Sequence, residues 1–274
     1  MTQRPTGGGI RRSASKSSSV VTAARKLHQP SVRDAEQLFL AAGSQSVEYG
    51  LRANLLERLF VSPAGDAKFP DLIDQVLAAG VEVLVVDDRV ISGLSDTRTP
   101  QGLVGVARMP EPISNIWSSR PQLVIGLEQA QDPGNVGVVV RTADAAGADA
   151  VLLGPGSADP FGPKSVRASA GSVFRVPVFR VEDMLSELSA AQSNGLVVRG
   201  TAANGEVTLF SADDLDLGSP TLWLLGNEAH GLSEQIKQEC DQLVSIPMFG
   251  GAESLNVGIA AAICLYASAA AQRD

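Results

Sequence analysis

The chain has 274 residues, of which 44% are hydrophobic, and its 22 basic and 30 acidic side chains give a formal net charge of −8. This length and hydrophobic content support two ordinary domains with buried cores and exclude a wholly disordered chain. The negative average argues at first against a nucleic-acid partner. It conceals a division, however, because residues 1–27 carry six basic and no acidic side chains, which leaves the other 247 residues with 16 basic and 30 acidic ones, a net charge of −14.

The first 110 residues contain two segments of different composition. Residues 1–27 are rich in glycine, serine and arginine, and we predict a flexible basic arm that attracts RNA non-specifically. Residues 28–110 alternate short helical and strand patterns, which predicts a small α/β domain. The predicted helices are 35–42, 45–53 and 69–79, and the predicted strands are 58–62, 81–86 and 102–108. Pro110, Pro112 and Pro121 then mark a linker over 111–120.

Residues 121–274 alternate strands with longer helices. The predicted strands are 122–127, 150–153, 175–179, 196–201, 221–225 and 242–247, and the predicted helices are 135–146, 164–172, 181–191, 233–239 and 254–270. This alternation predicts an α/β fold with a mostly parallel sheet that is covered by helices on both faces. Ligands bind such sheets at the carboxyl ends of the strands, so we expect the site in the loops 128–134, 154–163, 226–231 and 248–253.

Cysteine content and apolar runs restrict the location of the protein. Cys240 and Cys264 have no CxxC spacing, so neither a disulfide framework nor a metal site is predicted. The longest apolar stretch, 257–270, is shorter than the roughly 18–20 residues that a bilayer span needs. No apolar segment follows the basic residues near the N-terminus, as it would in a secretory signal. We therefore expect a cytoplasmic protein without membrane contact.

The first polar loop leads into a helix that carries polar side chains beside an apolar stripe. Asn135 stands where the helix begins, and we predict that it is the N-cap. Arg141 projects from the flank of the stripe. A purely structural interpretation of Arg141 is an ion pair with Asp144, three residues further along the helix.

The other two polar loops follow strands later in the chain. One begins at Gly226 and contains Glu228 and His230, for which helix-dipole compensation and a turn are the structural alternatives to chemistry. The other follows Ile246-Pro247-Met248 and leads to a helix that is apolar on all sides. Such a helix must be buried against the sheet or against another subunit.

Together these loops resemble the three motifs of the SpoU-type RNA ribose 2'-O-methyltransferases, which belong to the SPOUT superfamily. The matching residues are Asn135-x-Gly137-x-x-x-Arg141, then Gly226-Asn227-Glu228-Ala229-His230-Gly231-Leu232, then Ile246-Pro247-Met248 with Ser254-Leu255-Asn256-Val257. The resemblance covers residues 121–274. It implies a methyltransferase domain with a deep trefoil knot, S-adenosylmethionine as the cofactor, and an obligate homodimer formed through this domain.

The N-terminal part resembles the branch of this family that has an L30e-like RNA-binding domain. The matching residues are Lys26-Leu27 and Thr99-Pro100-Gln101-Gly102-Leu103-Val104. This resemblance implies an RNA substrate-binding domain over 28–110. Because such a domain is present, we expect ribosomal RNA of the 23S type as the substrate, ahead of transfer RNA.

The resemblance also assigns roles to individual residues. It implies that Arg141 is catalytic, with Asn135 and Glu228 in supporting roles. It implies a cofactor site made by Gly226, Ile246, Met248, Leu255 and Asn256. We expect RNA contacts at Arg141, Lys164 and Arg167, because an acidic body must rely on local basic positions. A guanidinium stays protonated, so Arg141 suits the stabilisation of a developing alkoxide better than general-base catalysis.

Two other functions remain as alternatives. One is a non-catalytic RNA-binding or ribosome-assembly factor on the same fold, which the weakly basic N-terminal domain would suit. The other is a dinucleotide-binding oxidoreductase, because Gly154-Pro155-Gly156 follows a predicted strand. The third glycine of that fingerprint is replaced by Asp159, and the prolines at 160 and 163 oppose an immediate helix.

Overall fold

The structure is a computed structural model that describes residues 9–97, 99–111, 115–211, 215–227 and 229–273. The chain divides into two compact units, the first made of Met1–Glu111 and Asp159–Arg175 and the second of Pro112–Ala158 and Val176–Asp274. Within the described ranges, every helix is too short or too polar to cross a lipid bilayer.

The first unit contains a five-stranded mixed sheet. Its strands are β1 (Arg11–Ser13), β2 (Leu38–Ala42), β3 (Leu56–Val61), β4 (Glu82–Val85) and β5 (Leu103–Arg108), and the helices among them are α1 (Ser19–Lys26), α2 (Pro30–Glu36), α3 (Ser44–Arg52), α4 (Pro63–Lys68), α5 (Pro70–Ala78) and α6 (Asp88–Ser95). The strand order is β1-β4-β3-β5-β2. Strands β1, β4 and β3 are parallel, whereas β5 is antiparallel to β3 and to β2. The predicted small α/β domain is confirmed.

The helix predicted over 35–42 is wrong. Helix α2 ends at Glu36, Gln37 takes a left-handed conformation with φ 54°, and β2 follows. Phe39, Leu40 and Ala41 are all buried. A short run that is apolar at every position occurs both in strands covered on two faces and in buried helices, so periodicity alone does not separate the two.

The arm predicted to be flexible is ordered from β1 onwards. Strand β1 pairs with β4, and the Ser18 side chain caps α1 by accepting a hydrogen bond from the Val21 N–H. Val21, Ala24 and Leu27 are buried at a spacing of three residues. This apolar stripe is hidden in a composition rich in serine and arginine, which is why composition alone misjudged the segment.

The second half of the chain alternates strands and helices. Its strands are β6 (Leu123–Leu127), β7 (Ala150–Leu153), β8 (Val178–Arg180), β9 (Val197–Thr201), β10 (Val207–Thr208), β11 (Thr221–Leu225) and β12 (Gln242–Ser245), and its helices are α7 (Pro133–Ala146), α8 (Pro163–Ser169), α9 (Met184–Ser193), α10 (Glu234–Glu239) and α11 (Val257–Ala271). All seven strands described in this half form one parallel sheet in the order β10-β12-β9-β11-β6-β7-β8. The predicted parallel sheet is confirmed.

Strand β11 lies in the middle of this sheet and anchors the last helix. All five of its residues are buried, as expected for a strand covered on both faces. The Trp223 indole N–H donates a hydrogen bond of 2.9 Å to the Ser268 hydroxyl on α11. Helix α11 also packs on α7, where Gly258 allows close approach, because a Cβ there would lie 2.7 Å from the Val138 Cγ1 atom. Helices α7 and α11 are thereby held side by side.

The segment Asp159–Arg175 lies between β7 and β8 in sequence but belongs to the first unit. Phe161 and Phe174 each place their ring centroid 5.2 Å from that of Phe39. The buried Arg33 guanidinium donates to the Asp159 carboxylate and, over 2.7 Å, to the Leu27 carbonyl. Asp159 stands where a dinucleotide-binding fingerprint would have its third glycine, and in this protein it forms a structural ion pair with Arg33.

Candidate active site

A cleft of about 510 Å³ opens at the carboxyl ends of three neighbouring strands, β12, β9 and β11. Its described lining comprises Thr201, Ala202, Ala203, Asn204, Leu225, Gly226, Asn227, Ala229, His230, Gly231, Leu232, Lys237, Val244, Ile246, Met248, Glu253, Ser254, Leu255, Val257 and Ala260. This volume is in the range of sites that enclose a small organic ligand, roughly 300–1,000 Å³. The position is the one expected for ligands in parallel sheets.

The structure brings four of the five predicted cofactor residues to this cleft. Gly226, Ile246, Met248 and Leu255 all line it. Asn256, the fifth, caps α11, where its side-chain oxygen accepts a hydrogen bond of 2.8 Å from the Gly258 N–H. Residues of the second and third sequence motifs therefore line the same cavity.

The loop after β11 is a tight turn that only glycine permits at its first position. The backbones of Asn227 and Gly231 bond to each other in both directions, over 3.1 and 2.8 Å. A Cβ added to Gly226 would lie 2.0 Å from the Gly231 carbonyl carbon. The Asn227 amide also donates over 2.9 Å to the Gln129 carbonyl, which joins this loop to the one after β6.

The loop after β12 leaves its backbone open. Between Ile246 and Leu255, no backbone group bonds to another described backbone group. Ile246 and Leu255 add apolar side chains beside these open N–H and C=O groups. Backbone polar groups need partners, so a loop of this kind suits a ligand that carries both donors and acceptors.

Asn135 lies where it was predicted, on α7, but the N-cap prediction is wrong. Asp132 caps the helix, with its carboxylate accepting from the N–H groups of Gly134 and Asn135 over 2.5 and 3.2 Å. Proline is common at the first helical position, directly after the cap, so the proline that follows Asp132 was the sequence signal for a cap at Asp132. The Asn135 side-chain oxygen instead accepts a 2.9 Å hydrogen bond from the Asn256 amide. The first and third motifs are thus joined directly.

Arg141 follows Asn135 on the same helix, and its side chain is exposed. Its guanidinium forms no ion pair with Asp144 or with any other described residue. The structural alternative, a pair within the helix, is therefore absent among the described side chains. An exposed guanidinium keeps all of its donors available to a ligand.

The remaining predicted residues are distributed differently. Glu228 lies outside the described residues. Lys164 and Arg167 are on α8 and belong to the first unit, whereas Arg141 belongs to the second. Lys164 is exposed, and Arg167 donates over 2.9 Å to the Ser95 carbonyl.

Glu128, which sequence reasoning did not single out, fixes one wall of the cleft. Its carboxylate accepts hydrogen bonds from the Ser233 N–H over 2.9 Å and from the Ser233 hydroxyl over 2.7 Å. Ser233 is the N-cap of α10. The position of Glu128 directly after β6 could have suggested this role, because the carboxyl ends of parallel strands share one edge of the sheet.

Neither a thiol nor a metal ion is indicated at this edge. Burial, together with Asp241, Glu128 and Glu239, raises the pKa of Cys240 to about 12, so its thiol is protonated at neutral pH. Across the ranges that the structure describes, no three His, Cys, Asp or Glu side chains are grouped as metal ligands. The polar groups of the cleft are mainly backbone groups and uncharged side chains.

Family comparison decides between the classes of protein that this geometry allows. Residues 122–266 match the SpoU rRNA Methylase family, a span of more than half of the chain. The chain belongs to the SpoU rRNA methylase family. Residues 19–105 of this SpoU methylase also match the MRM3-like substrate binding domain. The family predicted from the three motifs is confirmed.

Named relatives and solved structures agree with this assignment. This SpoU methylase is 33% identical to the 23S rRNA (guanosine(2553)-2'-O)-methyltransferase RlmP of Bacillus subtilis over 243 residues, which is 88% of this chain and 92% of the relative. Over 191 residues it is 35% identical to the 23S rRNA (uridine(2479)-2'-O)-methyltransferase of Streptomyces viridochromogenes, covering 68% of this chain and 66% of that one.

Two of the similar crystal structures contain a bound cofactor. The AdoMet-bound rRNA methyltransferase from Sinorhizobium meliloti has a TM-score of 0.80 at 30% identity and covers 96% of this chain and 98% of its own. The SpoU methyltransferase AviRb from Streptomyces viridochromogenes, in complex with AdoMet, has a TM-score of 0.80 at 28% identity, with 93% and 98% covered.

Proposed function

We propose that this protein transfers a methyl group from S-adenosylmethionine to a ribose 2'-hydroxyl of 23S ribosomal RNA. The observation that carries the proposal is that two of the three SpoU motifs line one cleft at the carboxyl ends of β9, β11 and β12, while the first motif is hydrogen-bonded to the third. Both relatives named above modify 23S rRNA at a 2'-oxygen. Transfer RNA is the second candidate substrate.

The cleft fits S-adenosylmethionine. Ile246, Met248 and Leu255 offer apolar surface to an adenine ring, and the open backbone groups of 246–255 offer donors and acceptors for its edge. Gly226 also lines the cleft, and its lack of a Cβ lets the loop after β11 fold back on itself. When bound, the cofactor supplies an electrophilic methyl group on a sulfonium.

Arg141 supplies the charge that this reaction needs at the RNA. Its guanidinium offers positive charge and N–H donors, with which it stabilises negative charge that develops on the 2'-oxygen and holds an adjacent phosphate. The pair of Asn135 and Asn256 is a positioning pair, since it holds the start of α7, and with it Arg141, against the start of α11. We assign Glu228 a supporting role in the same site.

Substitution of Arg141 tests this assignment. In the Arg141→Ala variant we expect S-adenosylmethionine to bind as in the wild type, because the side chain does not line the cleft. Transfer of labelled methyl groups to deproteinised 23S rRNA should fall at least about 100-fold, the usual loss when one electrostatic contact to the transition state is removed. Arg120→Ala, which removes an exposed arginine of the same unit, is the control. Normal transfer by Arg141→Ala would exclude its catalytic role.

A second copy of the chain is the proposed partner of the helix pair α7–α11. Val138 on α7 and Ile259 and Tyr266 on α11 are exposed by 38%, 51% and 53%, although the opposite face of α11 is buried. Ile259 and Tyr266 are seven residues apart and lie on one face of the helix. Three exposed apolar side chains do not suit RNA, whereas a two-fold axis would bring the same side chains of another copy onto them.

Changing the charge of this face tests the dimer. We expect the wild type to sediment as a dimer and Ile259→Glu to sediment as a monomer, because a carboxylate would have to be desolvated at the interface. A wild-type monomer would refute the proposal.

The trefoil knot implied by the resemblance would pass through the loops that Asn227 and Asn256 hold to residues 129 and 135. A cytoplasmic location fits an enzyme that acts on ribosomal RNA. Nothing in the fold or the relatives favours the non-catalytic factor or the oxidoreductase.

A further inference from the structure

The first unit contains a cavity of its own, remote in sequence from every SpoU motif. Its volume is about 260 Å³, below that of most sites for a whole organic ligand. It lies between the start of α3 and the loop that follows α6. The described lining includes Gly43, Ser44, Gln45, Ser46, Gln101 and Arg167.

Helix α3 presents uncapped backbone N–H groups to this cavity. It follows Gly43, which has φ +94° and no side chain to cap the helix. The Gln101 side-chain oxygen accepts from the Ser44 N–H and hydroxyl over 3.0 and 3.1 Å. No described group accepts a hydrogen bond from the N–H of Gln45 or Ser46. The start of a helix carries partial positive charge, so these two donors favour an anion.

The Ser46 hydroxyl is an independent sign of a ligand. Ser46 is only 2% exposed and lines the cavity, and no described group bonds to its hydroxyl. Every described side-chain oxygen or nitrogen that is sealed from solvent has a partner. Because the Ser46 hydroxyl has no partner, it is not sealed from solvent and must open into the cavity that its residue lines. There it can donate a hydrogen bond to a bound group.

Arg167 provides a full positive charge in the same lining. Its Nη1 donates over 2.9 Å to the Ser95 carbonyl at the end of α6, which holds the guanidinium in place. No other described residue accepts a hydrogen bond from its remaining N–H groups. None of the described lining residues has a carboxylate. The cavity thus combines one cation, backbone N–H groups and hydroxyls, a set of donors typical of phosphate sites.

We propose that this cavity binds one phosphodiester group of the RNA substrate. A phosphodiester carries one negative charge, which matches the single guanidinium, whereas free phosphate carries up to two near neutral pH. The unit belongs to a family of substrate-binding domains, and contacts to phosphates fix the register of a nucleic acid on a protein. The proposal rests on RNA being the substrate and assigns the first unit a defined contact with it.

The Gln45→Glu variant tests the proposal without touching Arg167. It places a carboxylate at the rim of the cavity and keeps the size of the side chain. An acidic residue in the first turn stabilises a helix, so α3 should remain folded. We expect deproteinised 23S rRNA to bind about tenfold more weakly. The slope of log affinity against log salt should shrink by about 0.7–0.9, the value for one lost phosphate contact.

Gln75→Glu is the matched control, because it adds the same charge at an exposed position of α5 outside the cavity. We expect its affinity and salt slope to stay within twofold of the wild type. Equal weakening by both variants would show a general effect of charge and overturn the proposal. Wild-type affinity in Gln45→Glu would overturn it as well.

A second pair of variants removes positive charge instead. Arg167→Ala should weaken RNA binding about tenfold, whereas Arg89→Ala, which loses an exposed arginine of α6 outside the lining, should not. Inorganic phosphate is the remaining probe. Saturable binding of phosphate at micromolar concentration, lost in Gln45→Glu, would identify a site for a free anion and overturn the assignment to RNA.

These outcomes can be separated from a failure of the proposed function. If the wild type neither binds nor methylates 23S rRNA, the proposed function fails first. If the wild type does both and the cavity variants behave as their controls do, only the phosphodiester site is refuted.

Discussion

Gly226→Ala is the substitution for which the structure predicts the sharpest effect. The new methyl group would lie 2.0 Å from the Gly231 carbonyl carbon, 2.1 Å from the Leu232 nitrogen and 2.3 Å from the Gly231 carbonyl oxygen. All three are backbone atoms, so no side-chain rotation relieves the overlap. Ordinary contact begins near 3.4 Å, and the turn must therefore move by about 1.4 Å. That turn forms one wall of the cleft.

We expect two consequences of this movement. Forcing a methyl group into a packed site costs about 1–3 kcal/mol of folding free energy. The displaced wall should weaken S-adenosylmethionine binding at least tenfold, because a misplacement of about 1 Å is enough to spoil a site of this kind. Titration calorimetry with S-adenosylmethionine measures the second effect, and urea unfolding measures the first.

Gly93→Ala is the control for the same chemical change. Gly93 is exposed on α6, outside the lining of the cleft, and a Cβ there would lie no nearer than 3.8 Å to the Arg25 Nε atom. We expect this variant to bind the cofactor as the wild type does and to unfold at no lower urea concentration. Unchanged cofactor binding by Gly226→Ala, or an equal loss in Gly93→Ala, would refute the steric argument.

Three further predictions concern stability and the reactivity of the cysteines. In Asp159→Ala, the Arg33 side chain, which is 3% exposed, loses its carboxylate partner, and the free energy of unfolding measured by urea titration should fall by roughly 3 kcal/mol. Glu48→Ala removes one partner of an exposed ion pair and should change the free energy of unfolding by less than about 0.5 kcal/mol. The native cysteines should resist a thiol reagent at pH 8 and react after unfolding, because burial raises the pKa of Cys240 and of Cys264 to about 12. Since these pKa values are raised above the ordinary 9.0, stability should be constant below pH 9 and fall as the pH rises towards 12. Serine at both positions should remove that fall.

The parallel sheet and the edge that carries the site were predictable from sequence because both depend on local pattern. Strand β11 coincides with its prediction at both ends, since a buried strand between turn-forming residues is a clear signal. The loops at 226–231 and 248–253 were predicted to carry the site, and residues of both line the cleft.

The wrong predictions concern residues whose local structure is decided by contacts with residues distant in sequence. Leu38–Ala42 is a strand because it pairs with β5, 60 or more residues away in sequence, and the pattern of the segment itself does not show that partner. Asn135 has the side chain of an N-cap, but Asp132 takes that role, which leaves the Asn135 oxygen to Asn256. The cavity beside α3 combines residues of 42–46, 95–103 and 167–170. The second stretch includes the motif that begins at Thr99, but the pattern of no single stretch shows that the three meet.

The packing of Asp159–Arg175 restricts how this protein can be recombined with its relatives. The family match over 122–266 contains this segment, yet its aromatic side chains complete the core of the first unit around Phe39. A chimera joined between residues 105 and 122, where one family match ends and the other begins, would combine Phe39 and Arg33 with another protein's version of residues 159–175. Its two blocks would then have to match in shape and charge at the positions of Phe161, Phe174 and Asp159. Exchange of the substrate-binding part alone therefore requires a second pair of junctions, one on each side of this inserted segment.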